Sequence, residues 1–148
     1  MDKTSDLVIS KGTLKQNQLQ GKVAVITGAG GGIGFEAARA LVWLGVKVVI
    51  AEIDKKIGVE AQRKIETEFG KDVALFIQTD VGNESSIKRL INLTKKKWQK
   101  IDIVINNATV ATIGAVEKAS IDKWDLSYQV NLRGPVLLTR YCLPKMIE

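Results

Sequence analysis

The sequence predicts an α/β domain built on a doubly wound parallel sheet, with helices on both faces. Three observations lead there. Short apolar runs alternate four times with amphipathic stretches of helical period. The runs at residues 23–26 and 46–51 are apolar almost throughout, only Lys47 interrupting, as expected of strands buried on both faces. Finally, the first run stops at a glycine cluster, residues 28–34, from which a helical pattern begins at once.

Residues 1–20 are mostly polar, with a short apolar break at Leu7, Val8 and Ile9, and read as a loosely held extension with Leu19 packing under the first strand. The domain proper then occupies residues 21–148. After the glycine cluster, Ala37, Leu41 and Leu44 recur at helical spacing and Gly45 closes that helix. Residues 46–51 form the second strand. Ile57, Ala61 and Ile65 mark the second helix, which ends near Gly70. Residues 73–77 make the third strand. Asn83 or Glu84 opens a third helix with Ile87, Leu90, Ile91 and Trp98 on one face, and residues 101–105 give the fourth strand. Beyond a loop containing Gly114, Ser120 is the expected N-cap of one long final helix running to about Ile147. Four βα units joined by right-handed crossovers give the strand order 3-2-1-4 of a Rossmann-type sheet, with the ligand at the strands' carboxyl ends, where the order reverses.

Composition narrows the function. At 148 residues the chain fits one domain. Its 45% apolar and 26% charged content is that of an ordinary globular protein. One cysteine, Cys142, permits no internal disulfide framework, so a reducing cytoplasm is expected. No run approaches the ~18 apolar residues that span a bilayer, and no apolar signal core opens the chain, so neither membrane insertion nor secretion is expected. The net charge of +6 invites a nucleic-acid reading. Its densest part, Lys95, Lys96 and Lys97, instead ends an amphipathic helix, where cations favour the dipole, and no aromatics interleave with it. No cluster of metal-ligating residues is expected.

Strand, glycine turn and helix in succession suit a phosphate, because backbone N–H groups and a helix N-terminus converge there. Gly28 can take positive φ without the penalty of roughly 1–2 kcal/mol that a side chain brings. Gly32 exposes bare backbone to a pyrophosphate and Gly34 lets helix and strand approach. A flexible strand-to-helix turn is the plain alternative. Starting from Gly28, the spacing G-x-G-x-x-G fails, since its sixth position is Ile33; T-G-x-x-x-G-I-G fits, as Thr27, Gly28, Gly32, Ile33 and Gly34. Glu52 ends the second strand, where a carboxylate can accept hydrogen bonds from a ribose, although a strand end is also an ordinary place for an exposed acid.

This pattern resembles the short-chain dehydrogenase/reductase family, classical type, over its N-terminal cofactor-binding portion. The resemblance implies a nicotinamide dinucleotide, and Glu52 would repel the extra phosphate of NADP by about 1–4 kcal/mol at ~4 Å. Family members that use NADP often carry a basic residue at positions held here by Gly31 and Ile53, so NAD is the expected cofactor. Asp80 and Val81 resemble the family's Asp-Val pair at the adenine, though Asp80 is also a plain turn residue. Asn106, Asn107 and Ala108 resemble its N-N-A-G, whose amides tie strand ends and frame the ribose. Thr109 stands where the family has glycine, and a β-branched residue would fit poorly if positive φ were needed. Asn131 matches the Asn of the catalytic tetrad. Pro135, four residues on, leaves its carbonyl without the usual helical donor, free for a water in a proton relay or merely kinking the helix.

The resemblance implies a catalytic Ser and a Tyr-x-x-x-Lys at positions past residue 148, so neither is expected within this chain. Tyr141 and Lys145 mimic the motif, with Ser127 fourteen residues upstream (141 − 127). A single helix would hold Ser127 roughly 21 Å from Tyr141, so no working triad is expected. The fourth strand is then an edge with uncovered apolar surface, which invites self-association, and the resemblance implies pairing of copies through the final helix. Two functions follow: the cofactor half of an enzyme moving hydride between NAD and a small alcohol or ketone, or a catalytically inactive dinucleotide-binding module.

Overall fold

The computed structural model describes residues 14–147. The strands are β1 (Val23–Thr27), β2 (Lys47–Glu52), β3 (Ala74–Gln78) and β4 (Ile103–Ile105). All pair in parallel in the order β3-β2-β1-β4, the order the sequence predicts. Helices α1 (Gly32–Trp43), α2 (Lys55–Phe69) and α3 (Glu84–Trp98) follow the first three strands, and α4 (Ile121–Tyr128) and α5 (Gly134–Met146) follow the fourth.

The uninterrupted apolar strands are explained by two cores. Side chains alternate along a strand. Ala24, Ile26, Val48 and Ile50 therefore face α1 and α2, meeting Ala38, Val42, Ala61 and Ile65. Val25, Val49, Ala51 and Ile77 face the other way, toward Ile87, Leu90 and Ile91 of α3 and Leu138 and Cys142 of α5. α2 and α3 start as their caps dictate: the Asp54 and Asn83 side chains accept the Ile57 and Ser86 N–H groups at 3.0 Å.

Several elements differ from expectation. The buried stripe of α1 is Gly34, Ala38 and Val42, with Leu41 only flanking it. In α2 the inward position is Gly58 and not the exposed Ile57, because the Phe76 ring of β3 fills the space a side chain at 58 would need. β4 holds only three residues. The final helix is not one regular rod: residues Gln129–Arg133 form a π turn between α4 and α5. Pro135 has no N–H to offer, and the Gly134 N–H reaches back five residues to the Gln129 carbonyl. Ser120 occupies the N-cap position of α4, but its side chain makes no capping bond; its carbonyl accepts from Lys123 and Trp124. Of the expected N-terminal extension, residues 1–13 lie outside the described residues. The next residues are fastened: the Asn17, Leu19 and Gly21 N–H groups donate to the carbonyls of Trp43, Leu44 and Gly45, and Leu19 packs on the core.

Candidate functional site

The carboxyl ends of the strands frame a cleft of about 310 Å³. Gly28, Glu52, Asp80, Val81, Asn107 and Ala108, all anticipated from sequence, line it. The glycine turn and the fourth strand's end are locked together on one side. Thr27 Oγ1 accepts the Asn107 and Ala108 N–H groups, each at 3.0 Å, while Asn107 Nδ2 donates to the Thr27 and Gly28 carbonyls at 2.9 and 3.1 Å. Gly28 has φ +64°, and a Cβ there would stand 2.9 Å from the Ala108 backbone. A Cβ on Gly34 would lie 2.5 Å from both Asn107 Nδ2 and the Gly28 carbonyl oxygen, so this clasp requires glycine. Gly32 faces open space, and Ile33 is 84% exposed at the tip of α1.

That tip has backbone donors to offer an anion. Its N-cap, Gly31, offers no side-chain bond, and the N–H groups of Gly32, Ile33 and Gly34 precede the first residue with a helical acceptor. Beside the glycine turn stands Glu52. Its Oε1 accepts the Ile53 and Asp54 N–H groups at 2.9 and 3.2 Å, and its Oε2 accepts that of Gly30 at 3.2 Å. Asp80 does serve its turn, accepting the Gly82 N–H at 2.9 Å while lining the cleft, and Val81 is buried beside it.

The far wall is held by Asn131. Its Oδ1 accepts the Val110 N–H at 2.9 Å and the Thr109 hydroxyl at 3.1 Å, and its Nδ2 donates to the Val110 carbonyl at 2.7 Å. Thr109 does not adopt positive φ; among the described residues the non-glycine residues that do are Asn17, Asp72 and Gln99. The threonine is thus accommodated in this loop. Gly134, just after the π turn, lies against the loop between β3 and α3, since a Cβ there would meet the Val81 carbonyl at 2.8 Å.

Ser127 and Tyr141 of the mimic are engaged with different partners, and the Lys145 side chain lies outside the described residues. Ser127 Oγ pairs with Thr112 Oγ1 at 2.9 Å. The Tyr141 hydroxyl donates to Glu84, under the Lys88 ammonium 5.1 Å from its ring. Hydrogen bonds from Tyr141 and Lys88 hold the Glu84 carboxyl below its ordinary value. Among the described residues no group of three or more His, Cys, Asp or Glu is placed to hold a metal, and no helix is long and apolar enough to cross a membrane. Sequence reasoning gave no individual role to Thr27, Gly30 or Val110. A threonine ending an otherwise apolar strand signals the first; the other two depend on partners distant in sequence.

Comparison with known proteins accords with this geometry. Residues 22–148 match the model of the short chain dehydrogenase family. An uncharacterized oxidoreductase of Thermotoga maritima is 41% identical over 130 residues, which are 88% of this chain and 50% of the relative. The 3-ketoacyl-(acyl-carrier-protein) reductase of Brucella melitensis, solved with NADH, is 33% identical with a TM-score of 0.76, over 86% of this chain and 51% of that one. The L-sorbose reductase of Gluconobacter frateurii, solved with NADPH and L-sorbose, is 26% identical with a TM-score of 0.82, over 89% and 50%. The chain spans about half the length of these relatives. With its clasped glycine turn, strand order and this match, the chain belongs to the short-chain dehydrogenase family.

Proposed function

We propose that residues 21–148 form the nucleotide-binding half of an NAD-dependent oxidoreductase acting on a small alcohol or ketone. One observation carries the choice of NAD: Glu52 presents a carboxylate, fixed by three backbone N–H groups, at the rim of the cleft beside the glycine turn. There it accepts hydrogen bonds from a ribose and repels a 2′-phosphate. Neither neighbouring position carries a cation to reverse that repulsion, since Gly31 and Ile53 stand there. The relatives include proteins solved with NADH and with NADPH, so the preference has to come from such local residues.

The other residues fit the rest of the group. The uncapped N–H groups of Gly32, Ile33 and Gly34 receive the diphosphate, Asp80 and Val81 flank the adenine, and Asn107 and Ala108 frame the nicotinamide-side ribose. The bound nicotinamide supplies or accepts the hydride. Asn131 positions the wall of the cleft through residues 109–110, and its carbonyl, at the π turn, is the group that would hold a relay water. The protein works in a reducing compartment, the cytoplasm, where its single cysteine needs no partner: burial pushes the Cys142 thiol up to about 11, which keeps it protonated and unreactive. Pairing of copies through α5 also belongs to this reading.

Titration with NADH and NADPH, followed by dihydronicotinamide fluorescence, tests the proposal. The chain should bind NADH about tenfold or more tightly than NADPH, as expected for one charge repulsion of ~1–4 kcal/mol, and Glu52→Arg should equalise or reverse the order. A native preference for NADPH would overturn it.

A further inference from the structure

We propose that Gly30 is a specificity-determining position, whose missing side chain leaves the seat that holds the Glu52 carboxylate at the rim of the cleft. The inference rests on the reading of the cleft as a nicotinamide nucleotide site and deepens it.

The seat is defined by what already fills it. A Cβ on Gly30 would lie 2.8 Å from Glu52 Cγ, 2.9 Å from Glu52 Oε2 and 2.6 Å from Ile57 Cγ2. Two side chains, from the end of β2 and the start of α2, therefore converge on the point where a methyl group would stand. The Gly30 N–H donates to Glu52 Oε2, so the residue both makes room for the carboxylate and holds it. With Oε1 held by Ile53 and Asp54, neither carboxylate oxygen is left to swing.

This differs from the other tight glycines of the turn. At Gly28 and Gly34 a methyl group would strike backbone atoms, which cannot yield without moving the loop. At Gly30 the three nearest atoms all belong to side chains. Nor is Gly30 among the glycines with positive φ, so alanine meets no backbone penalty there. A substitution at Gly30 thus leaves the phosphate-binding loop in place and displaces Glu52. The repulsion that Glu52 exerts on a 2′-phosphate depends on its distance and bearing, and so does its bond to a ribose. Gly30 acts on nucleotide choice through Glu52 and not through the phosphates.

The test is a double-mutant cycle read as dissociation constants for NADH and for NADPH, with thermal unfolding alongside. The wild-type chain, Gly30→Ala, Glu52→Gln and the double variant are compared. The NADPH-to-NADH ratio of dissociation constants should fall about threefold or more in Gly30→Ala, with the melting temperature near wild type. In the Glu52→Gln background, Gly30→Ala should change the ratio no further, as expected of a residue acting through its neighbour. Equal weakening for both nucleotides with an unchanged ratio, or additive effects in the double variant, would overturn the proposal. An unchanged ratio in Glu52→Gln would instead overturn the assignment of Glu52 and the seat with it, so the two failures are distinguishable. Should Gly30→Ala fail to fold, Gly30→Ala combined with Ile57→Ala serves in its place, because it relieves the 2.6 Å contact and keeps those with Glu52: a ratio lowered from that of Ile57→Ala alone supports the seat and an unchanged one refutes it.

Discussion

Ile26, Val48, Val49 and Ile50, in the middle of the sheet, are wholly buried between two helical layers, whereas β4 is only partly buried and its neighbours leave apolar side chains in solvent. Ile113 is 92% exposed and Ile121 72%, and Trp124, Leu132, Val136 and Leu143 are exposed as well. The cleft straddles these two regions. Its near wall, the glycine turn with Glu52, grows directly from the sealed strands. Its far wall, residues 109–110, hangs on the side chain of Asn131. The contrast teaches that the proposed seat of the diphosphate and ribose is built onto the best-buried strands of the chain. The region proposed to face the reacting end of a nucleotide has the exposed apolar side chains of residues 113–143 around it.

The contrast can be broken most forcefully by truncating one apolar side chain in each region. Ile26→Ala should lower unfolding free energy by about 2–5 kcal/mol through the cavity it leaves, while Ile121→Ala should stay within about 0.5 kcal/mol. Denaturant unfolding of both variants decides this, and equal losses would erase the distinction. A middling effect is expected at the clasp between the regions. Asn107→Ala removes both Nδ2 bonds and strands the Thr27 and Gly28 carbonyls, which should cost about 1–3 kcal/mol and weaken NADH binding as well.

The smallest effect lies at the opposite end of the sheet. Burial pushes the Asp102 carboxyl up, but the Val23 N–H and the Lys100 and Lys22 ammonium groups outweigh it and hold its pKa below 3.8. Because the folded value is depressed, the stabilisation is complete well above 3.8 and is lost as pH falls through the folded value. Asp102→Asn should therefore lower the melting temperature slightly at neutral pH, with the difference from wild type closing in strong acid. A gap that widens in acid would contradict this sign.

The four strands and their order are legible in the sequence because buried parallel strands need unbroken apolar runs, and the spacing of Gly28, Gly32 and Gly34 marks the turn between β1 and α1. What is less legible depends on partners remote in the chain. Nothing near Gly58 announces that the Phe76 ring takes its space, so the hydrophobic pattern points to Ile57 instead. The stripe of α1 shifts by one position because it starts at the buried Gly34, which has no side chain to count as apolar. Pro135 announces a missing donor, but whether a helix answers with a kink or a π turn depends on Gly134 lying against the Val81 carbonyl. The bonds from the Val110 N–H to Asn131 and from the Gly30 N–H to Glu52 span 21 and 22 residues, beyond any local period.

The most direct test of the central claim follows the backbone amide resonances of the chain during titration with NADH. The account predicts that Gly31, Gly32, Ile33 and Gly34 shift together and saturate with the Glu52 and Ile53 amides, at concentrations where NADPH moves them far less. Shifts confined to α4 and α5, with the glycine turn unmoved at saturation, would contradict it.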